Sequence, residues 1–257
     1  MDIKEQVRLQ FGSNAAHYVS SPLHAAGADL QLLADWIKAE NASRALDIAT
    51  GGGHAALVLA QHAAEVTALD MTEPMLQVAE SFLNSQGCNQ IRYVQGDAEA
   101  LRFEAGSFDI AVCRIAAHHF PNVDAFVKEA ARVLRADGSL ILFDNVSSEW
   151  DELDALYNEV EKRRDPSHYR AWRKSEWITK LELAGFKIEQ LVQSRKTFYF
   201  DSWCGRMNVP ETTKRELEAY MLSQPEELQR QLGIQTEQGS LLSFQGDYML
   251  LKARKAI

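Results

Sequence analysis

Residues 46–56 read LDIATGGGHAA. An apolar run that closes on Asp47 passes into three consecutive glycines and then into alanine-rich, helix-favouring sequence. A strand, a glycine turn and a helix in that order make the junction at which α/β proteins hold nucleotides, because backbone without Cβ atoms lets a ligand approach closely. Gly51, Gly53 and Ala56 also satisfy the dinucleotide spacing G-x-G-x-x-A. The spacing alone leaves open which adenosine-bearing molecule the turn serves.

Working outward, the same alternation repeats. RALDIA (44–49) and EVTALD (65–70) read as buried strands, and HAALVLAQHA (54–63) and PMLQVAESFLNSQG (74–87) as helices, the second closed by glycine. IRYVQ and FDIAVCR follow as strands, NVDAFVKEAARVLRADG as a helix, and SLILFDN as a further strand. Val123, Phe126, Val127, Ala130, Val133 and Leu134 trace one apolar face of that helix. Repeated strand–helix units imply a parallel sheet with helices on both faces, and ligands in such sheets sit at the carboxyl ends of the strands.

At the flanks the rhythm loosens. Residues 1–10 predict a short helix stopping near Phe11-Gly12, and Leu23, Leu30, Leu33 and Ile37 a second one after Ser21-Pro22. Beyond Asn145, residues 151–163 predict an amphipathic helix through Leu153, Leu156, Tyr157 and Val160. Another is expected from Ser175 to Gly185, and a helical segment around 211–231 separates the strand-like FKIEQLVQSRKTFYF and LLSFQGDYMLLKARK. The expected fold is an α/β, Rossmann-like, doubly wound sheet of about seven strands, mostly parallel, with an antiparallel carboxyl-terminal edge pair and amino-terminal helices. One domain spans 1–257: a helical cap over 1–43, a cofactor-binding core over 44–145, and substrate-side helices and final strands over 146–257.

Composition narrows the partners. With 257 residues, 46% hydrophobic and 25% charged, the chain reads as an ordinary globular protein with no apolar run near the roughly 18 residues of a membrane span. MDIKEQVRLQ lacks the apolar centre of a signal peptide, and Cys88, Cys113 and Cys204 form no C-x-x-C pair, so a reducing cytoplasm is expected. A net charge of −9 speaks against nucleic acid as a partner.

Three acidic residues choose the cofactor. Asp47 points towards the glycine turn, where a dinucleotide pyrophosphate would be repelled and an ammonium group attracted. Asp70, nineteen positions after Gly51, suits two ribose hydroxyls and does not discriminate; Met71 beside it belongs to the same set. Asp97, after IRYVQG, can accept an adenine amino group while the Ala98 amide meets the ring. All three carboxylates then find donors on S-adenosyl-L-methionine and none faces a phosphate.

The order ALDIATGGG, VTALDMTEPML, YVQGDAEAL, SFDIAVCRIAAHHF and VLRADGSLILFDN resembles the class I S-adenosylmethionine-dependent methyltransferases, most closely the small-molecule group that includes ubiquinone and menaquinone biosynthesis enzymes. The resemblance covers residues 11–145; RDPSHYR and SEWITKLELAGF also look like stretches of bacterial members. It implies methyl transfer to a small-molecule acceptor, with Gly51 and Gly53 beside the methionine portion, Asp70 on ribose and Asp97 on adenine. Ala49 departs from the family's usual glycine, and Arg114 from its usual small residue. Arg114 has three readings: the cofactor's carboxylate, a substrate anion, or solvent. In relatives the SNAAHYVSSP region folds over the cofactor, so Tyr18 reads either as a cation–π contact to the sulfonium or as plain packing.

Methyl transfer is an in-line displacement at an already activated carbon, so alignment dominates and a base is optional. His118 and His119, just after the fourth strand, are the base candidates; the alternative is that they pack or orient the loop. Asp144-Asn145 raises a magnesium reading known from catechol-type relatives, but Cys113-Arg114 replaces the further carboxylate, so no metal is expected. Arg164, His168, Tyr169 and Trp203 are candidates for a substrate lid, against a reading as a solvated charge cluster with aromatics covering an edge. A nucleic-acid methyltransferase is disfavoured, because RIAAHHF stands where that group has an Asn/Asp-Pro-Pro-aromatic motif. From a different class, a protein that binds S-adenosylmethionine without transferring methyl is the alternative. The sequence leaves the oligomeric state and the acceptor atom open.

Overall fold

A computed structural model describes residues 2–19 and 28–256, with the side chains of 12–19 and 28 outside the description. Strands β1 (Arg44–Ile48), β2 (Glu65–Asp70), β3 (Ile91–Gln95), β4 (Phe108–Arg114) and β5 (Leu134–Val146) alternate with helices α3 (His54–Ala60), α4 (Glu73–Ser85) and α5 (Val123–Val133). Before them run α1 (Ile3–Val19) and α2 (Ala28–Lys38). After them come α6 (Asp151–Arg164), α7 (Lys174–Leu183), β6 (Phe186–Tyr199), α8 (Phe200–Gly205), α9 (Glu211–Leu222), α10 (Glu226–Gln231), β7 (Gln235–Glu237) and β8 (Ser240–Lys255).

The strands join in the order β3-β2-β1-β4-β5-β8-β6, with β7 on β8. β1 to β5 are parallel, and β8 is antiparallel to both β5 and β6. The expected edge pair is therefore present, but its later member is inserted between β5 and β6. β7, a three-residue hairpin arm, left no periodicity to read.

Alternation along β1 sorts the two layers. Leu46 and Ile48 face one core, closed by Phe126, Val127 and Ala130 of α5 and by Trp177 and Leu181 of α7. Ala45 faces the other, closed by Leu33 and Ile37 of α2, Ala56 and Leu59 of α3, and Leu83 of α4. All six residues of the expected stripe are buried, although Leu134 opens β5 instead of continuing α5, each large side chain adding about 1.5–3 kcal/mol of transfer free energy. Asn122 caps α5 by accepting from the Ala125 amide at 3.1 Å. A third core, with Tyr157, Val160, Trp203, Leu217, Met221 and Phe244, joins α6, α8, α9 and α10 to the far halves of β6 and β8.

Two local expectations shift. α1 runs through Gly12 to Val19 rather than stopping near Phe11, because tertiary contact with α4 outweighs the roughly 1 kcal/mol cost of one glycine. The segment 211–231 divides into α9 and α10 at Pro225, whose ring cannot continue a helix. Leu23 lies outside the described residues.

Candidate active site

A cavity of about 1010 Å³, mouth included, opens at the carboxyl ends of β1, β2 and β4, where the strand order reverses. Its floor is the glycine turn. Asp47 is buried there, its Oδ2 accepting from Thr50 Oγ1 at 2.6 Å. Burial pushes the Asp47 carboxyl up to about 6, against hydrogen bonds from Thr50 and the Ala56 amide and the field of Arg114. Ala49 leaves β1 at φ +58, a left-handed conformation that suits the glycine it replaces.

The glycines divide the work differently from the sequence expectation. Gly51 (φ +53) faces open space and lines the cavity, as does Gly52. Gly53 stands outside the lining: at φ +87 it caps α3, and a Cβ there would lie 3.0 Å from Leu83. Its role is to let α3 approach α4.

Asp70 ends β2 with its carboxyl raised by burial, although amides bind it. Oδ2 accepts from the Gly51 amide at 3.0 Å, and Oδ1 accepts from the Thr72 amide at 3.0 Å and its hydroxyl at 3.1 Å. It thus braces the glycine turn, and one oxygen keeps a lone pair. Met71, Ala98 and Asp97 also line the cavity. Asp97 is already engaged: Lys4 Nζ of α1 donates to Oδ2 at 2.6 Å and sits 2.5 Å from Glu99. Lys4, Val7 and Phe11 bring α1 across the cavity, together with Thr50 and Met75, none of which the sequence reading singled out. The side chain of Tyr18 lies outside the described residues.

Arg114 also lines the cavity, from the end of β4. It does not reach solvent: its Nε and Nη2 lie 2.7 and 2.6 Å from Asp29 of α2. Ile115 next to it takes φ +54, a strained conformation for a β-branched residue.

The two histidines separate. His119 lines the cavity, its ring 4.9 Å from that of Phe11. Its Nδ1 lies 2.9 Å from the Ser167 carbonyl, so it donates there and the neutral ring carries its lone pair on Nε2. Burial and neighbouring His118 push its pKa down to about 4. His118 stands behind it, outside the lining, with Nδ1 2.6 Å from Asp144 Oδ1 and its amide donating to Oδ2 at 2.9 Å. Burial opposes its charge, but Asp144 outweighs burial and holds the imidazole above its ordinary value. Asp144 lies outside the cavity lining and holds His118, its Oδ1 also accepting from the Asn145 amide at 2.8 Å.

The lid expectation fails. Arg164 lies over the Trp203 ring at 4.5 Å and reaches Glu161 at 3.1 Å, inside the third core. His168 is buried with Nε2 3.0 Å from Asn158 Oδ1, and Tyr169 is 43% exposed. None of the four lines the cavity. Instead the amides of Tyr169 and Arg170 donate to the His118 carbonyl at 2.9 and 3.0 Å, and Ser167 receives His119. The segment is the back wall of the histidine pair.

A family model described as a methyltransferase domain matches residues 46–142. The chain is similar to the uncharacterised methyltransferase YcgJ of Bacillus subtilis (strain 168), at 36% identity over 207 residues, or 80% of this chain and 82% of the relative. The chain belongs to the class I S-adenosylmethionine-dependent methyltransferases. The solved structure of a candidate methyltransferase from Bacillus halodurans C-125 matches this methyltransferase with TM-score 0.87 and 48% identity, covering 90% of this chain and 100% of that one. Similarity to a ubiquinone/menaquinone biosynthesis C-methyltransferase, UbiE of Rhizobium johnstonii, is 31% over 144 residues, 54% of this chain and 56% of the relative, so the likeness to the quinone group is partial. The methyltransferase takes S-adenosylmethionine as cofactor and catalyses methylation. No helix among the described residues is long and apolar enough to cross a membrane.

Proposed function

We propose that this methyltransferase transfers its methyl group to a small-molecule acceptor by in-line displacement, with alignment as the main contribution and His119 as general base. The observation that carries the reading is the pairing, in one cavity, of a buried carboxylate that has no bonded cation among the described residues (Asp47) with a neutral imidazole lone pair (His119). The donor set fits the cofactor. Asp47 would meet the ammonium, Gly51 and Gly52 the methionine portion, Asp70 the ribose, and Asp97 with Ala98 the adenine. When bound, S-adenosylmethionine supplies a methyl group activated by its sulfonium and departs as S-adenosylhomocysteine.

The chain's own residues then have separate duties. α1 excludes water from the cavity through Val7 and Phe11, and Lys4 ties it to the adenine wall at Asp97. Arg114, fixed by Asp29, gives the acceptor side a cationic rim. His119 takes the acceptor's proton on Nε2. A cavity roofed by a helix suits a small acceptor better than a flipped base, and the acidic chain supports that choice. The sheet that runs unbroken through both halves supports a single methyltransferase domain over 1–257, and the absence of an apolar spanning helix among the described residues supports a cytoplasmic place.

The test is methyl transfer from labelled S-adenosylmethionine to pooled acceptors, beside calorimetry with S-adenosylmethionine, S-adenosylhomocysteine and NADH. His119→Gln is expected to lower turnover about 100-fold, the lower end for a general base because its proton affinity lies well under neutrality, with cofactor affinity unchanged. Wild-type turnover in that variant removes His119 from the mechanism.

A further inference from the structure

The mechanism uses His119 but leaves the charged groups behind it without a part. We propose that Asp144 and His118 form a buried charge pair that positions His119 and keeps it unprotonated, which restricts the acceptor to an acidic X–H group such as an enol, phenol or thiol. The inference rests on the assignment of His119 as the base.

Three observations carry it. First, Asp144 grips His118 twice, at 2.6 Å through Nδ1 and at 2.9 Å through the backbone amide, from a strand end that is itself buried. Second, the His118 ring lies 4.1 Å from the His119 ring, so a charge on the first opposes a charge on the second. Third, His119 cannot turn away, because Ser167 receives its Nδ1 and Ser167 is fixed in turn by Asp165 through its amide at 2.9 Å and its hydroxyl.

Other charges bear on the pair from every side. Glu161 of α6 and Asp165 after it add to the field that favours a charged His118. Asp165 and Asp144 also favour charge on His119, but burial and His118 outweigh them. His168, its ring 5.6 Å from that of His118, is driven far below its ordinary value by burial and by the other two histidines, with Lys162 and Arg164 contributing. The cluster therefore favours charge on the histidine nearest Asp144 and disfavours it on the other two.

A base held this weak selects its acid. In the step, the acceptor's X–H bond would break with its proton passing to His119 Nε2 and later to water, while the electron pair left on X forms the bond to the methyl carbon as the carbon–sulfur bond breaks and leaves its pair on the sulfur of the departing S-adenosylhomocysteine. A thiol or phenol lies roughly 4–6 decades above His119 in proton affinity, an aliphatic hydroxyl about twelve. Transfer from the first group is within reach of catalysis, and from the second it is not.

The experiment is a histidine NMR titration of the protein saturated with S-adenosylhomocysteine. In the wild type, His118 is expected to stay charged above pH 6.5 and His119 to stay neutral below pH 6. His118→Asn should move the His119 midpoint up by more than one pH unit, tenfold in proton affinity, and shift the acid limb of the pH–rate profile with it. Asp144→Asn should drop the His118 midpoint by at least as much. An unmoved midpoint in either variant, or a neutral His118 in the wild type at pH 6, overturns the proposal, and the wild-type titration decides even if both variants misfold. With labelled S-adenosylmethionine, turnover of phenols or thiols is expected; turnover of aliphatic alcohols alone overturns the restriction. Loss of S-adenosylhomocysteine binding by the wild type would strike the cofactor reading instead and is measured separately by calorimetry.

Discussion

At the amino-terminal end of the parallel strands, Glu40 accepts from Ser139 at 2.6 Å and is ion-paired with Lys252 and Arg254. Asp109 accepts from the amides of Ser43 and Arg44 and from Arg135. Burial works against both charges, yet their bonds hold both carboxyls below the ordinary range. At the carboxyl-terminal end, Asp47 and Asp70 are buried more deeply and are pushed up instead, because burial outweighs the hydroxyls and amides that meet them and no bonded cation offsets it among the described residues. The first end completes its own electrostatics, whereas under the proposed function a positively charged guest would complete the second. A buried carboxylate without its cation is costly to hold ionised, so its retention marks the end of the sheet that binds.

The sharpest way to break this comparison is Glu40→Gln. It leaves buried Lys252 with only the longer contact to Glu189, at 3.6 Å, and is expected to cost about 3 kcal/mol, the lower end for a broken buried pair, in denaturant unfolding with cofactor affinity unchanged. A changed affinity would mean that the two ends are not independent. Asp70→Asn should do the converse. It removes a charged acceptor worth about 1.5–3 kcal/mol, so calorimetry should find affinity for S-adenosylmethionine down roughly 10–100-fold, with stability lowered by only about 1 kcal/mol for the one amide left unpaired.

Asp47 sharpens the comparison through pH. Its carboxyl sits near 6 in the free protein, and a bound ammonium would favour the ionised form. Affinity for S-adenosylmethionine is therefore full above about pH 6 and falls as the pH drops through that value, approaching tenfold per unit. Methylthioadenosine, which lacks the ammonium, should show no such slope; an equal slope for both ligands would detach Asp47 from the amino-acid end. The smallest effect is Ala49→Gly. Relief of the left-handed alanine, about 1–2 kcal/mol, is offset by the greater entropy of an unfolded glycine, leaving roughly 0.5–1 kcal/mol of added stability as a small rise in Tm.

The cofactor side was largely legible because it is built from consecutive residues at strand ends. Asp47, Ala49, Gly51, Asp70, Met71, Asp97 and Ala98 all line the cavity. Gly53 was misread because a glycine needed for close helix contact looks the same in sequence as one needed by a ligand. Lys4 was missed for another reason. A lysine on a weakly amphipathic first helix has no local signature, and its partners Asp97 and Glu99 lie more than ninety positions away. The expected lid failed similarly, since the arginine, histidine and tryptophan that looked like ligand chemistry satisfy one another in the third core or brace the histidine pair from behind.

By itself the sequence determined the alternation of strands and helices, the position of the glycine turn, and the set of carboxylates that suits a cationic adenosine cofactor. These follow from period, turn chemistry and charge, which act over a few residues. Only the tertiary structure decided that β8 inserts between β5 and β6, that α1 closes over the cavity, and which of two adjacent histidines faces the ligand. Neighbours in sequence diverge in direction: His119 is turned into the cavity and His118 onto Asp144, twenty-six positions away. Their proton states follow from burial and from charges brought together by folding, which no local pattern encodes.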